Sequence, residues 1–175
     1  LIRRLYRVDQ NARRLKRLSH FKVYLANPCL RTALFGAIGP DDPAMGQMAE
    51  TAIASQMAHD YSFKFTYYAR WKSGEIDFVV LHSGTQKPRL ALEVKWSDRA
   101  FNHPARELSS FIKFCQKTKP ADGRFVTTKT LEGRKTIEGV KMSFAPASVV
   151  CHVMACRVDN ILERGRHPLT GLPFP

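Results

Sequence analysis

The segment GEIDFVVLHSGTQKPRLALEVKW, residues 74–96, decides how the chain is read. Two apolar runs flank SGTQK, a turn-forming pentapeptide centred on Thr85. The pattern predicts a β-hairpin whose register places Asp77 opposite Glu93 and Glu75 opposite Lys95. Strand alternation then puts Glu75, Asp77, Val79, Ala91, Glu93 and Lys95 on one face. The other face, Ile76, Phe78, Val80, Leu90, Leu92, Val94 and Trp96, is wholly apolar. A slip of one residue would bury the charges, so the register is well specified.

Two carboxylates facing each other across a strand pair repel by a few tenths to about 1 kcal/mol. A proton, a lysine or a metal ion has to offset that. Hard cations such as Mg²⁺ take oxygen ligands and commonly use one or two carboxylates. Lys95 shares the face and is placed to orient a water or contact a phosphate. The plainer alternative is a solvent-facing strand that carries Glu and Lys for solubility, with Glu75 and Lys95 as an ordinary cross-strand ion pair.

Outward from the hairpin, the 175-residue length suits one domain. A 44% hydrophobic fraction with 25% charged residues is that of a globular chain able to bury a core. Lys plus Arg number 28 against 15 Asp plus Glu, a net charge of +13, which favours a polyanionic partner, nucleic acid before an anionic membrane surface. A solvated basic face is the alternative. No run of about 18 apolar residues exists, so no membrane span is expected. Cys29, Cys115, Cys151 and Cys156 form no CxxC pair, which points to reduced thiols and a cytoplasmic location. The chain opens on leucine and reads as part of something longer.

Three regions are expected. Residues 1–20, rich in Arg with Asp9 as the sole acid, read as an exposed basic hairpin, short helix or connector. Residues 21–160 read as the domain proper, and the Pro- and Gly-rich 161–175 as a loosely ordered tail. Within the domain, FKVYLAN predicts a strand and NPCLRTALFG a short helix ending near Gly36 or Gly39. A longer helix is expected from an Asp42 N-cap, with Pro43 in its first turn, to about His59. At ~100° per residue Glu50 falls ~20° from Met57 and ~60° from Ile53, at the edge of the apolar stripe. It is either a rim glutamate or aimed into a site at the helix–sheet junction. Residues 62–71 predict an aromatic strand, 97–104 a loop, and 105–117 a helix with Leu108, Phe111, Ile112 and Cys115 inward. RFVTTKT predicts a strand and LEGRKTIEG a charged connection. The apolar runs from Val140 read as strand-like, interrupted at Pro146. The order is that of a mixed α/β domain with a three-strand meander and helices packed on the sheet.

Together Asp77, Glu93-Val94-Lys95 and Glu50 resemble the motif of the PD-(D/E)xK nuclease superfamily. That motif is an acid on one strand, (D/E)-x-K on the next and often a glutamate from the first core helix. Ile76 stands where the superfamily's proline would. The segments KVYLANPCLR, GQMAETAIAS, GEIDF and LEVKWS, in this order, resemble more closely the C-terminal nuclease-like domain of prokaryotic AAA-type ATPases, over about residues 20–155. The resemblance implies a restriction-endonuclease-like mixed sheet flanked by helices. It implies an ATP-binding module and a winged-helix segment upstream in the same chain, with residues 1–20 a remnant of the latter. It implies that Asp77 and Glu93 bind Mg²⁺ or Mn²⁺, and that Glu50 binds a second metal or orients metal-bound water. Lys95 would position or activate the attacking water. Gln47, Ser97 and Arg70, with Trp96 behind them, are candidates for substrate contact. The expected substrate is DNA ahead of RNA, and the expected activity phosphodiester hydrolysis. A catalytically silent module that binds nucleic acid or protein and regulates the ATPase is the other reading, and an RNA-cutting defence component a third. Self-association is left open.

Overall fold

The computed structural model describes residues 2–13, 20–60 and 63–164. Residues 14–19 of the expected connector and 165–175 of the expected tail lie outside them. An eight-stranded mixed sheet runs through the domain, with helices on both faces. In chain order the elements are β1 (Ile2–Val8), β2 (Phe21–Leu25), α1 (Cys29–Phe35), α2 (Met45–His59), β3 (Thr66–Trp71), β4 (Gly74–Leu81) and β5 (Pro88–Glu93). There follow α3 (Arg99–Asn102), α4 (Pro104–Glu107), α5 (Ser109–Thr118), β6 (Gly123–Thr128), β7 (Gly133–Ile137), β8 (Val140–Pro146) and α6 (Ala147–Arg164).

The strand order is β2-β1-β3-β4-β5-β6-β8-β7. Strands β3, β4 and β5 form the expected antiparallel meander, and β5, β6 and β8 run parallel. The parallel centre is covered on both faces, as such strands require. One core layer, under α5, gathers Val79, Leu81, Ala91, Leu108, Phe111, Ile112 and Phe144. The other, under α2 and α6, gathers Tyr24, Ile53, Met57, Phe78, Val80, Leu92 and Val94. The inward positions expected for the 105–117 helix are all buried: Leu108, Phe111, Ile112 and Cys115.

The expected hairpin register holds for Phe78 opposite Leu92, Val79 opposite Ala91 and Val80 opposite Leu90, but it slips by one at Leu81 opposite Pro88, and the ladder stops short of the expected Asp77–Glu93 and Glu75–Lys95 pairs. The face assignment needs a correction. Opposite β3, Tyr67 pairs with Val79 but Ala69 pairs with Ile76, so β4 carries one extra residue at Asp77–Phe78. This β-bulge resets the alternation. Ile76 packs in the α5 layer with Val79 rather than with Phe78, and the apolar face is not continuous. Glu75 and Asp77, on either side of Ile76, are thereby turned toward β2 and α2.

Several sequence expectations change. Residues 2–8 are not a free connector: β1 pairs antiparallel with β2 and parallel with β3. Helix α2 begins at Met45 rather than beside Asp42, because the Asp42 carboxylate accepts the Ala44 N–H at 2.8 Å and holds a turn ahead of the helix. The 62–71 strand is shortened to β3, and α3 forms where a loop was expected. The 105–117 helix is broken at Leu108 into α4 and α5. The charged connection contains an edge strand, β7, whose alternating exposed side chains match its single partner β8. The last apolar run is strand only to Pro146 and helix from Ala147. Residues 161–164, expected as tail, continue α6.

Candidate functional site

The site forms where β2, α2, the β4 bulge and the end of β5 meet. Lys22 and Tyr24 alternate along β2, so both project to the α2 side. The Lys22 ammonium donates to Glu50 Oε1 at 2.8 Å and to Asp77 Oδ1 at 3.2 Å, and lies 2.5 Å from Glu75 Oε1. The Tyr24 hydroxyl donates to the same Glu50 oxygen at 2.5 Å. Glu50 therefore points inward from the edge of the α2 stripe. Glu75 pairs with Lys22 and, at 3.5 Å, with Arg70, its β3 neighbour in register, not with Lys95 as expected.

The second half of the site follows β5. The ladder ends at Glu93, and the next N–H, that of Val94, donates to Asp77 Oδ2 at 2.9 Å. The Asp77 carboxylate thus stands in for a ladder carbonyl. Thr127 of β6 grips the following peptide from both sides. Its Oγ1 accepts the Lys95 N–H at 2.7 Å and donates to the Lys95 carbonyl at 2.8 Å. The Lys95 ammonium donates to Glu93 Oε1 at 2.9 Å. Glu93 Oε2 is buried and has no hydrogen-bond partner, although the Asp77 backbone N–H approaches this carboxyl and favours its charged form.

The electrostatics follow from burial and crowding. Burial, and then the nearby Glu50 charge, hold the Asp77 carboxyl above the usual carboxylate range. Burial, and then Asp77, push Glu93 up to about 8. For Lys22 burial opposes the ammonium, but Asp77, Glu50 and Glu75 outweigh it and hold its pKa above the usual lysine value. Lys95 is raised in the same way, burial being outweighed by Glu93. Both lysines are therefore cations at neutral pH. Burial and Glu50 likewise keep the Tyr24 phenol protonated.

The structure brings Glu50, Asp77, Glu93 and Lys95 into one neighbourhood. Arg70 lies at its rim through Glu75. Gln47 is exposed on α2. Ser97 Oγ accepts the Arg99 N–H at 3.3 Å, and the Trp96 indole donates to the Pro40 carbonyl at 2.8 Å. Sequence reasoning missed Lys22, Tyr24 and Thr127. The signal for the first two was the polar pair alternating with Phe21 and Val23 in FKVYL.

A divalent cation is implied by the family resemblance, and the donor set can be tested for it. Among the described residues, no three Asp, Glu, His or Cys side chains gather into a metal-holding group. Glu50 is occupied by Lys22 and Tyr24, so the three-acid set of Glu50, Asp77 and Glu93 is not assembled. The two-acid set fits better. Asp77 raises the Glu93 pKa, and Glu93 keeps a buried oxygen, Oε2, with no hydrogen-bond partner. Two carboxylates with water completing the shell is an ordinary Mg²⁺ environment.

Fold and site define a mixed α/β domain with a half-buried cluster of carboxylates and lysines at the end of its central hairpin. The chain belongs to the family described as a domain of unknown function (DUF4143), whose model matches residues 45–147. The match contains Glu50, Asp77, Glu93, Lys95 and Thr127, and leaves out β1, β2 and hence Lys22 and Tyr24. No curated protein and no solved structure matches the chain. Among the described residues no helix is long and apolar enough to cross a membrane.

Proposed function

We propose that the domain is a metal-dependent nuclease module acting on nucleic acid, DNA ahead of RNA, and attached to an upstream AAA-type ATPase. The observation that carries the reading is the junction of Asp77, Glu93 and Lys95, with a buried Glu93 oxygen left unbound beside a second carboxylate. Structural ion pairs do not ordinarily leave such an atom. Asp77 and Glu93 would hold Mg²⁺ or Mn²⁺, which supplies charge neutralisation at the scissile phosphate and lowers the pKa of a bound water. The residues of the chain have separate tasks. Lys95 presents a fixed ammonium to a phosphate oxygen or to the attacking water. Thr127 fixes the peptide that carries it. Arg70, exposed at the rim, and the chain's excess of cations favour a polyanion. Gln47 and Ser97 remain candidates for contact with the nucleic-acid backbone.

The test is Mg²⁺- or Mn²⁺-dependent cleavage of plasmid, single-stranded and branched DNA, with an RNA arm. Wild type is expected to cut, and Asp77→Ala and Lys95→Ala to lose 10²-fold or more. Equal rates in wild type and variants would sink the reading.

A second reading has its own observation. Lys22 bridges Glu50, Glu75 and Asp77 without any metal, an arrangement suited to a silent module that binds nucleic acid or protein and regulates an ATPase. Salt-sensitive DNA binding that survives Glu93→Gln, without cleavage by wild type, would favour it.

A further inference from the structure

The cluster holds four carboxylates, Glu50, Glu75, Asp77 and Glu93, and two ammonium groups, Lys22 and Lys95. The ammonium groups are unevenly shared. Lys22 contacts three of the acids, at 2.5–3.2 Å, and Lys95 contacts only Glu93, at 2.9 Å. The Glu50 side is already engaged: its Oε1 takes both the Lys22 ammonium and the Tyr24 hydroxyl. The Glu93 side is open. Its Oε2 lies in a side chain 12% exposed and has no partner, while Asp77 crowds it electrostatically.

We propose that Lys22 is a built-in second cation. The site then takes one divalent ion, at Asp77 and Glu93, and Glu50 is a positioning residue for Lys22 rather than a metal ligand. This rests on the metal-binding reading above and fixes its stoichiometry. A divalent ion beside Glu50 would have to displace an ammonium already satisfied by three carboxylates. One at Glu93 meets the unpartnered Oε2 and, at Asp77, displaces only the single 3.2 Å contact of Lys22 with Oδ1. Lys22 also links the site to β2, so an edge strand of the sheet helps set how many ions the centre holds.

The experiment counts ions on the full 175-residue chain. Chelator-stripped protein is titrated with Mn²⁺, and the free ion is followed by its paramagnetic resonance signal. One bound Mn²⁺ per wild-type chain and two per Lys22→Met chain are expected, since the substitution leaves Glu50 without a cation and Glu75 with only the exposed Arg70 at 3.5 Å. Glu50→Gln is expected to keep the count at one, and provides the test should Lys22→Met not fold. Two ions on wild type, one on folded Lys22→Met, or loss of the ion from Glu50→Gln would each overturn the proposal while leaving the metal-binding reading intact. No ion on wild type and one on Lys22→Met would make Lys22 a plug and overturn the proposal in favour of the silent module. No ion on any of them would overturn the metal-binding reading and this proposal with it.

Discussion

At the scale of the residue, the site is a problem of charge placed in a small volume, and Glu93 shows it best. Burial and Asp77 hold its carboxyl near pH 8, against an ordinary value of 4.5. A raised acid pKa means that the folded chain keeps a proton the unfolded chain has lost. The contribution of this group is therefore favourable below about pH 4.5 and is lost as pH rises through about 8. In chelator, the thermal midpoint of wild type is expected to fall across that window, and Glu93→Gln to flatten the fall. Parallel slopes would show that Glu93 is not strained by its charge. Thr127 makes a different residue-scale prediction. Thr127→Val removes the hydroxyl that both accepts from and donates to the Lys95 peptide, leaving two buried backbone groups unpaired. A loss of about 1–3 kcal/mol in denaturant unfolding is expected. A loss no larger than that of an exposed Thr→Val change would mean that the grip is incidental.

At the scale of the element, the hairpin register was readable because the period of two leaves little choice when one face is apolar. Asp77, Glu93 and Lys95 could be found from spacing alone for that reason. The bulge at Asp77–Phe78 could not. It depends on how β4 pairs with β3, and no glycine or proline marks it in EIDFVV. Lys22 was hidden for a related reason: its partners lie 28 and 55 residues away, beyond any local pattern. The change at Pro146 was half visible, since the proline marked a boundary but a short apolar run does not distinguish strand from helix. Helix α2 shows how packing ranks its positions. Ile53 is fully buried between α2 and the sheet, so Ile53→Ala should cost about 2–5 kcal/mol. Leu34 on α1 is 70% exposed, and Leu34→Ser should stay within about 0.5 kcal/mol. Urea midpoints of the two variants give the comparison directly; equal shifts would contradict the assignment of the core to α2.

At the scale of the whole molecule, charge and site have to be read together. The chain carries +13, while the carboxylates Asp77 and Glu93 are held at or near the core. Glu50, Glu75, Asp77 and Glu93 gather at one place where β2, α2 and the central hairpin meet, and the cationic surplus lies elsewhere. Arg70, Arg99 and Arg106, each about two-thirds exposed, are part of that surplus. Such a division suits a polyanion that approaches along a basic surface and meets negative charge only where a cation can intervene. It also sets a quantitative expectation. If the surface engages roughly six to ten phosphates, affinity for a labelled duplex should fall ~10³- to 10⁵-fold between about 50 and 200 mM salt. Reversing one exposed contributor, Arg70→Glu, should weaken binding and make the salt slope shallower by about one contact or more, because it removes a cation and adds an anion at the rim of the site. Glu93→Gln, buried and away from the surface, should leave the slope unchanged. A flat salt profile in wild type would mean that the +13 is only a solvated face, and would shift the search for a partner from nucleic acid to protein.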